Sequence, residues 1–363
     1  MTSPFLFLSF FAFVLLGACS SSIAEPPVLP VAQEGWDVSR EAPVLPAGDM
    51  RARALWNDPH VVQAKGTYAM FMTTSVDKPF QPPILPFRAL SKDGVHWELS
   101  PKAPLLTAKG GPYVSIETPS VVYFRGAWHM FFTGIYPRPV PSPMSIGHAV
   151  SQDGVHWDVV AWERLKATGV ATDWDSYLVG EPGAVVVQGQ LYVYYTAMGG
   201  RPEGGPPLQS LAVITSSDGL SFSKPRLVLQ QGDLYPARAG YAGYSSPAAL
   251  YAQGKVHLFY SVVHWQKGGN PEWQQVAIHH AVSADGLGGF VEDGAPIVTR
   301  DSTQWATGEV LAPGPMIKDG KVMVWFGGHV PVSDLRPLIN RDFKGPEFGI
   351  GLAVMPYDQF ISK

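Results

Sequence analysis

Thr118-Pro119-Ser120-Val121-Val122-Tyr123-Phe124-Arg125-Gly126-Ala127-Trp128-His129-Met130-Phe131-Phe132-Thr133 reads as two strands joined at a glycine. A proline opens an apolar stretch, a turn follows, and an aromatic, β-branched run returns from it. The same plan recurs at Asp58-Pro59, Glu181-Pro182, Ser246-Pro247 and Ala312-Pro313, and the five prolines stand 60, 63, 65 and 66 positions apart. In every copy a glycine follows the proline by seven residues, at Gly66, Gly126, Gly189, Gly254 and Gly320. A second turn mark comes later in most copies: Ser91-Lys92-Asp93-Gly94 with Trp97, Ser151-Gln152-Asp153-Gly154 with Trp157, Ser217-Asp218-Gly219 with Phe222, and Ser283-Ala284-Asp285-Gly286. Asp-Gly between strands is a strong hairpin signal, so each repeat amounts to about four strands.

A four-stranded sheet cannot bury both faces alone, and five such sheets must stack around an axis. The pattern therefore predicts an all-β protein, a five-bladed β-propeller formed by residues 35–363. The chain ends after a third-strand segment, Gly349 to Met355, without an outer strand of its own. Trp36-Asp37-Val38-Ser39 with Ala42-Pro43-Val44-Leu45 echoes the outer-strand segment Trp97-Glu98-Leu99-Ser100 with Ala103-Pro104-Leu105-Leu106. This amino-terminal strand is predicted to complete the last blade and to remove its free edge.

Upstream, the apolar run Phe5 to Leu16 leads into Leu16-Gly17-Ala18-Cys19 and Ser20-Ser21-Ser22. The run is too short for a comfortable membrane span, and small residues before a cysteine suit a bacterial lipoprotein signal. Residues 1–18 are thus predicted to be a signal peptide, Cys19 the lipid-attachment residue, and residues 19–34 a tether to the membrane. Ser20 after the cysteine points to the outer membrane of the cell envelope. Cys19 is the one cysteine of the chain, which excludes an internal disulfide. Basic residues neither dominate nor cluster, and the formal net charge is -4, so nucleic acid is not an expected partner. No spacing resembles a closed metal site, and no cofactor is expected.

In a propeller the innermost strands line the channel, so the residues before the repeat prolines mark a ring: Asp58, Thr118, Glu181, Ser246 and Ala312. Segments leading into those strands bring Trp56, Asn57, Glu117, Tyr244, Trp305 and Glu309 toward the same mouth, with His60 just inside. The aromatic rings suit the C–H faces of a sugar, although aromatics also fill blade interfaces. Asp173 and Asp175 read as solvated loop carboxylates, and the Asp of each Asp-Gly turn reads as structural.

At these residues the sequence resembles the five-bladed propeller glycoside hydrolases, the arabinanase and β-xylosidase families and the invertase and levanase families. Trp56-Asn57-Asp58-Pro59 is the sharpest local match, and the resemblance spans all five repeats. It implies a nucleophile or general base at Asp58. It implies a role in pKa tuning or sugar binding at Glu181, the third-blade position before proline. The fourth-blade position, where the resemblance implies a general-acid Glu, reads Tyr244-Ser245-Ser246-Pro247 and holds none.

The expectation is a glycoside hydrolase-like enzyme acting on an oligo- or polysaccharide. Its catalytic residues are Asp58 and Glu181 with Glu117 in support, and Trp56, Asn57, His60, Tyr244, Ser246, Trp305 and Glu309 contact the carbohydrate. Two alternatives remain open at this point: a non-catalytic glycan-binding propeller lipoprotein, and a phosphorolytic relative for which Arg53, Arg238 and Arg300 are scattered anion-binding candidates.

Overall fold

The computed structural model describes residues 29–64, 66–199, 208–266, 273–331 and 343–362. The predicted signal peptide, Cys19 and most of the tether lie outside the described residues. The strands form five antiparallel blades, the third and fourth joined by one parallel pairing of Gln209 with Gly243. Blade one contains Asn57–Ala64, Thr67–Ser75, Ile84–Ser91 and Glu98–Leu99. Blade two contains Ser115–Phe124, Ala127–Ile135, Met144–Ser151 and Asp158–Leu165. Blade three contains Leu178–Val187, Gln190–Met198, Gln209–Ser216 and Arg226–Leu229. Blade four contains Tyr241–Ala252, Lys255–Trp265, Trp273–Ser283 and Val291–Glu292. Blade five contains Glu309–Lys318, Lys321–His329 and Gly345–Pro356.

The inner strands contact one another in chain order, and the fifth returns to the first. That last approach needs a residue without a side chain: a Cβ on Gly314 would lie 2.1 Å from the Pro59 carbonyl oxygen. The outer edge of blade five is covered as the repeat predicts. Asp37 and Val38 pair with Val354 and Ala353, and Leu45 with Ile350. Trp305 Nε1 donates to the Ser39 carbonyl at 2.8 Å, which fastens the same segment to blade five. Docking begins earlier than residue 35. Leu29 packs on the blade-four core, and Gln33 Nε2 donates to Asp293 Oδ2 at 2.8 Å, so the last residues of the predicted tether belong to the folded body.

Both classes of turn adopt the expected geometry. Arg125-Gly126, Gln188-Gly189, Gln253-Gly254 and Asp319-Gly320 have positive φ at both residues, as a type I′ hairpin requires. In the second class, Asp93 Oδ1 accepts from the N–H groups of Val95 and His96 at 2.9 and 2.8 Å, while Ser91 Oγ accepts from Gly94 N at 2.8 Å. Asp153, Asp218 and Asp285 each repeat such a carboxylate bond to the backbone beyond the turn. In blade three the hydroxyl belongs to Ser216, one residue before the expected Ser217. These aspartates are turn caps.

Candidate active site at the channel mouth

The residue before each repeat proline has a left-handed backbone, with φ of 54° at Asp58, 50° at Thr118, 53° at Glu181, 49° at Ser246 and 50° at Ala312. For a non-glycine residue this costs about 1 kcal/mol or more, so five repetitions mark a built feature. The pairing explains it. In each blade the ladder between the first two strands skips at this point, from Asn57 to His60, Glu117 to Ser120, Gly180 to Gly183, Ser245 to Ala248 and Leu311 to Gly314. The bulged pair leaves the ladder, and proline as its second member gives up no hydrogen-bond donor. The ring residues and their prolines, with His60 and Ala248, line a narrow axial cavity of about 30 Å³.

Fifteen residues after each ring position comes a second-strand partner: Thr73, Thr133, Thr196, Ser261 and, in blade five, Gly327. Thr73 Oγ1 donates to Asp58 Oδ2. Thr196 Oγ1 donates to Glu181 Oε2 at 2.7 Å, and the same oxygen accepts the Ser246 N–H at 2.8 Å. Thr133 accepts the Glu181 N–H at 2.7 Å, and Ser261 accepts the Ala312 N–H at 3.0 Å, so these hydroxyls stitch each blade to the next. Where blade five has glycine, Asn57 fills the space, its Oδ1 standing 2.0 Å from where a Cβ on Gly327 would be. The sequence reading missed this ring of hydroxyls. The signal was the constant offset of fifteen between ring residue and hydroxyl.

Asp58, Glu117 and Glu181 are buried, at 4 %, 7 % and 3 % exposure. Burial pushes the Asp58 carboxyl up to about 7; the Thr73 hydrogen bond opposes this, and the charge of Glu181 adds to it. Burial, with the charges of Asp58 and Glu181, pushes Glu117 up to about 8. Glu181 is also raised by burial, against the hydrogen bonds from Thr196 and Ser246 that favour its ionised form. Asp58 Oδ1 and Glu181 Oε1 have no hydrogen-bond partner among the described residues. Buried carboxylate oxygens without a donor are costly, and groups tuned in this way cluster at functional sites. Burial thus opposes ionisation of all three carboxyls, and the charge of Glu181 adds to this at both Asp58 and Glu117.

Glycosyl hydrolases family 32 N-terminal domain is the family description that matches this chain, over residues 117–238, a stretch that starts at Glu117 and includes Glu181. The sucrose-6-phosphate hydrolase of Zymomonas mobilis is 34% identical over 119 residues, 31% of this chain and 22% of that protein. The Bacillus subtilis sucrose-6-phosphate hydrolase is 30% identical over 146 residues, 39% of this chain and 27% of that protein. The chain thus spans about a quarter of the length of these curated relatives. A thermostable family-43 glycoside hydrolase superposes with a TM-score of 0.60 at 15% identity, covering 83% of this chain and 88% of that one. A family 117 glycoside hydrolase of Zobellia galactanivorans gives 0.59 at 12% identity, covering 89% and 91%. The chain has the fold of the five-bladed propeller glycoside hydrolases.

Within this propeller glycoside hydrolase fold, several residues expected at a sugar-facing mouth serve the framework. Trp56, with no exposed surface, packs edge-on against Phe87 and donates from Nε1 to the Asp49 carbonyl at 3.0 Å. Tyr244 is equally buried and donates to Glu292 Oε1 at 2.5 Å. Trp305 stacks on Phe326. These three rings are buried, and the contacts of each are to its own blade or the segment leading into it. His60 uses both nitrogens between blades: Nε2 donates to the Val121 carbonyl at 2.8 Å, and Nδ1 accepts from Ser120 Oγ at 3.3 Å. Burial lowers its pKa to about 4, so it is neutral. Glu309 accepts the Gln275 N–H at 2.8 Å and pairs with His329 Nε2 at 2.8 Å, a clamp between blades four and five. Asp175, expected to be solvated, is buried.

Ser246 remains at the channel, its N–H on Glu181 and its Oγ donating to Gln275 Oε1 at 3.2 Å. Gln275, on the third strand of blade four, was not foreseen. Among the described residues no group of three or more His, Cys, Asp or Glu side chains is placed to hold a metal ion.

Proposed function

We propose that this propeller is a glycoside hydrolase acting on an oligo- or polysaccharide bound at the channel mouth, with Asp58, Glu181 and Glu117 as its reacting carboxyls. One observation carries the reading: Asp58 and Glu181, buried carboxyls of blades one and three, both line the axial cavity, and each has an oxygen with no hydrogen-bond partner among the described residues. Hydrolysis of a glycosidic bond needs one carboxyl that donates a proton and one that attacks or activates water, and electrostatic coupling is how a protein separates those two states. The family-32 match over blades two and three and the likeness to sucrose-6-phosphate hydrolases support the same class of chemistry. Asp58 is the nucleophile or base, and Glu181 is oriented by the hydrogen bonds it accepts from Thr196 and Ser246. Attachment of lipid at Cys19 would hold the enzyme in the bacterial cell envelope.

The test is a screen of the mature protein against aryl glycosides and plant, algal and bacterial glycans, beside Asp58→Asn and Glu181→Gln. Turnover lost in both variants supports the assignment. Binding of glycan without turnover, unchanged in both, replaces it with a glycan-binding propeller. Incorporation of labelled palmitate that disappears in Cys19→Ala tests the anchor.

A further inference from the structure

We propose that Gln275 reads one hydroxyl of the sugar at the channel mouth, donating to it from Nε2, and so selects neutral sugars whose hydroxyl at that position is free. The inference rests on the glycoside hydrolase reading above and names a specificity residue within it.

The repeat shows that the fold asks for no amide at this place. In each blade the residue seventeen after the ring position pairs with one residue of the third strand: Ile84, Met144, Gln209, Gln275 and Phe348 in blades one to five. All five are buried. Blades one, two and five fill the place with apolar side chains, and blades three and four with amides. A buried amide is costly unless its polar atoms find partners, so packing alone does not account for the glutamines.

Gln275 is held at two points and open at a third. Its backbone N–H donates to Glu309 Oε1 at 2.8 Å, and Glu309 is itself held by His329. Its side-chain Oε1 accepts from Ser246 Oγ at 3.2 Å, which leaves Nε2 as the remaining polar atom of the amide. Nε2 has no hydrogen-bond partner among the described residues and is not one of the enclosed polar atoms. The register places the residue on the mouth side of the ring: Gln275 lies opposite Val263, one step beyond the Tyr244–Val262 pair, and Tyr244 precedes Ser246 on the strand that enters from the mouth.

The surroundings set the class of ligand. Ser246, to which the amide is bonded, lines the axial cavity with Asp58 and Glu181, and among the described residues no cation lines it, His60 being neutral. Carboxylates there accept hydrogen bonds, and Nε2 donates. A sugar hydroxyl does both and can complement both, whereas a sulfate ester or a uronic carboxylate would meet like charge and one uncharged donor.

The experiment measures kcat/KM of wild type and Gln275→Met on an aryl glycoside of the preferred sugar and on its monodeoxy analogues, one hydroxyl removed at a time. Leaving a donor without its partner costs about 10- to 100-fold. We expect one deoxy position to cost wild type about that factor, and Gln275→Met to lose at least as much on the parent glycoside. In the variant the penalty at that position should shrink to about twofold or less while the other positions keep theirs. Gln275→Asn, which draws the amide back by one methylene, should give the same selective pattern and serves if Gln275→Met does not fold. The parent sugar O-sulfated at that position should turn over no faster than the deoxy analogue. Absence of a costly deoxy position in wild type, penalties that the variants leave unchanged or reduce at every position alike, or a sulfated sugar turned over as well as the parent would overturn the assignment and leave the enzyme reading intact. No wild-type turnover on any glycoside sinks both.

Discussion

Glu117 also carries a stability signature that needs no substrate. Its carboxyl moves from an ordinary 4.5 to about 8 in the folded protein. Below pH 4.5 the group is protonated in both folded and unfolded chains and costs nothing. Between 4.5 and 8 the folded state holds a proton that the unfolded chain has released, so stability falls as pH rises, and above about 8 the cost is constant. At about 1.4 kcal/mol for each tenfold change in proton affinity, the full cost reaches about 5 kcal/mol. Relaxation and water entry around an ionised buried group reduce it, and about 3 kcal/mol is a working value. Glu117→Gln keeps the shape and abolishes the charge. At pH 9 it should therefore melt above wild type by roughly 4 °C, and at pH 5 the two should coincide to within about a degree. The assay is thermal unfolding of both proteins from pH 5 to 9, read as their difference so that shared titrations cancel. A difference that does not change with pH, or a variant less stable at pH 9, would falsify the burial and coupling argued for Glu117.

Three further outcomes follow from the same geometry. Thr196→Val removes a donor to Glu181, leaving the Ser246 N–H, and should shift the acid limb of activity upward by about one pH unit, as loss of a hydrogen bond to a charged group predicts. Trp56→Ala should destabilise the fold by about 3–5 kcal/mol in urea unfolding, while the milder Trp56→Phe leaves KM unchanged, because this ring is core. Glu309→Ala leaves the buried His329 and the Gln275 N–H without their acceptor and should cost about 3–5 kcal/mol by the same assay.

The repeat made the architecture legible because its signals are local and chemical. A proline without a ladder donor, a glycine that tolerates positive φ and an Asp-Gly turn recur at near-constant spacing, and stacking is then the one way to bury the resulting sheets. Asp58 and Glu181 were legible for the same reason, each standing directly before a repeat proline. The aromatic candidates were not. Trp56 and Asp58 are two residues apart, and a strand beginning near a channel mouth gives no sequence mark of which ring turns into the blade and which side chain turns to the axis. Only the bulge at Asn57/His60 separates them. Thr196 and Gln275 were hidden differently: their partners lie on other strands, and a lone Thr or Gln in a strand has no pattern of its own.

The bulges also explain why fold and site are not separable here. A left-handed residue at each ring position would be cheapest as glycine, yet the five positions carry Asp, Thr, Glu, Ser and Ala. In four blades the side chain makes a ring hydrogen bond. In the fifth, Ala312 makes none and its second-strand partner is glycine, which leaves room for Asn57 to cross the boundary. The strain is therefore common to all blades, whereas the acidic side chains it presents, Asp58 and Glu181, lie on blades one and three. Ser246→Glu would then add a fourth buried carboxyl beside Glu181. It should raise the site's proton affinity and lower activity at neutral pH, where a merely vacant acid position would have been restored by it.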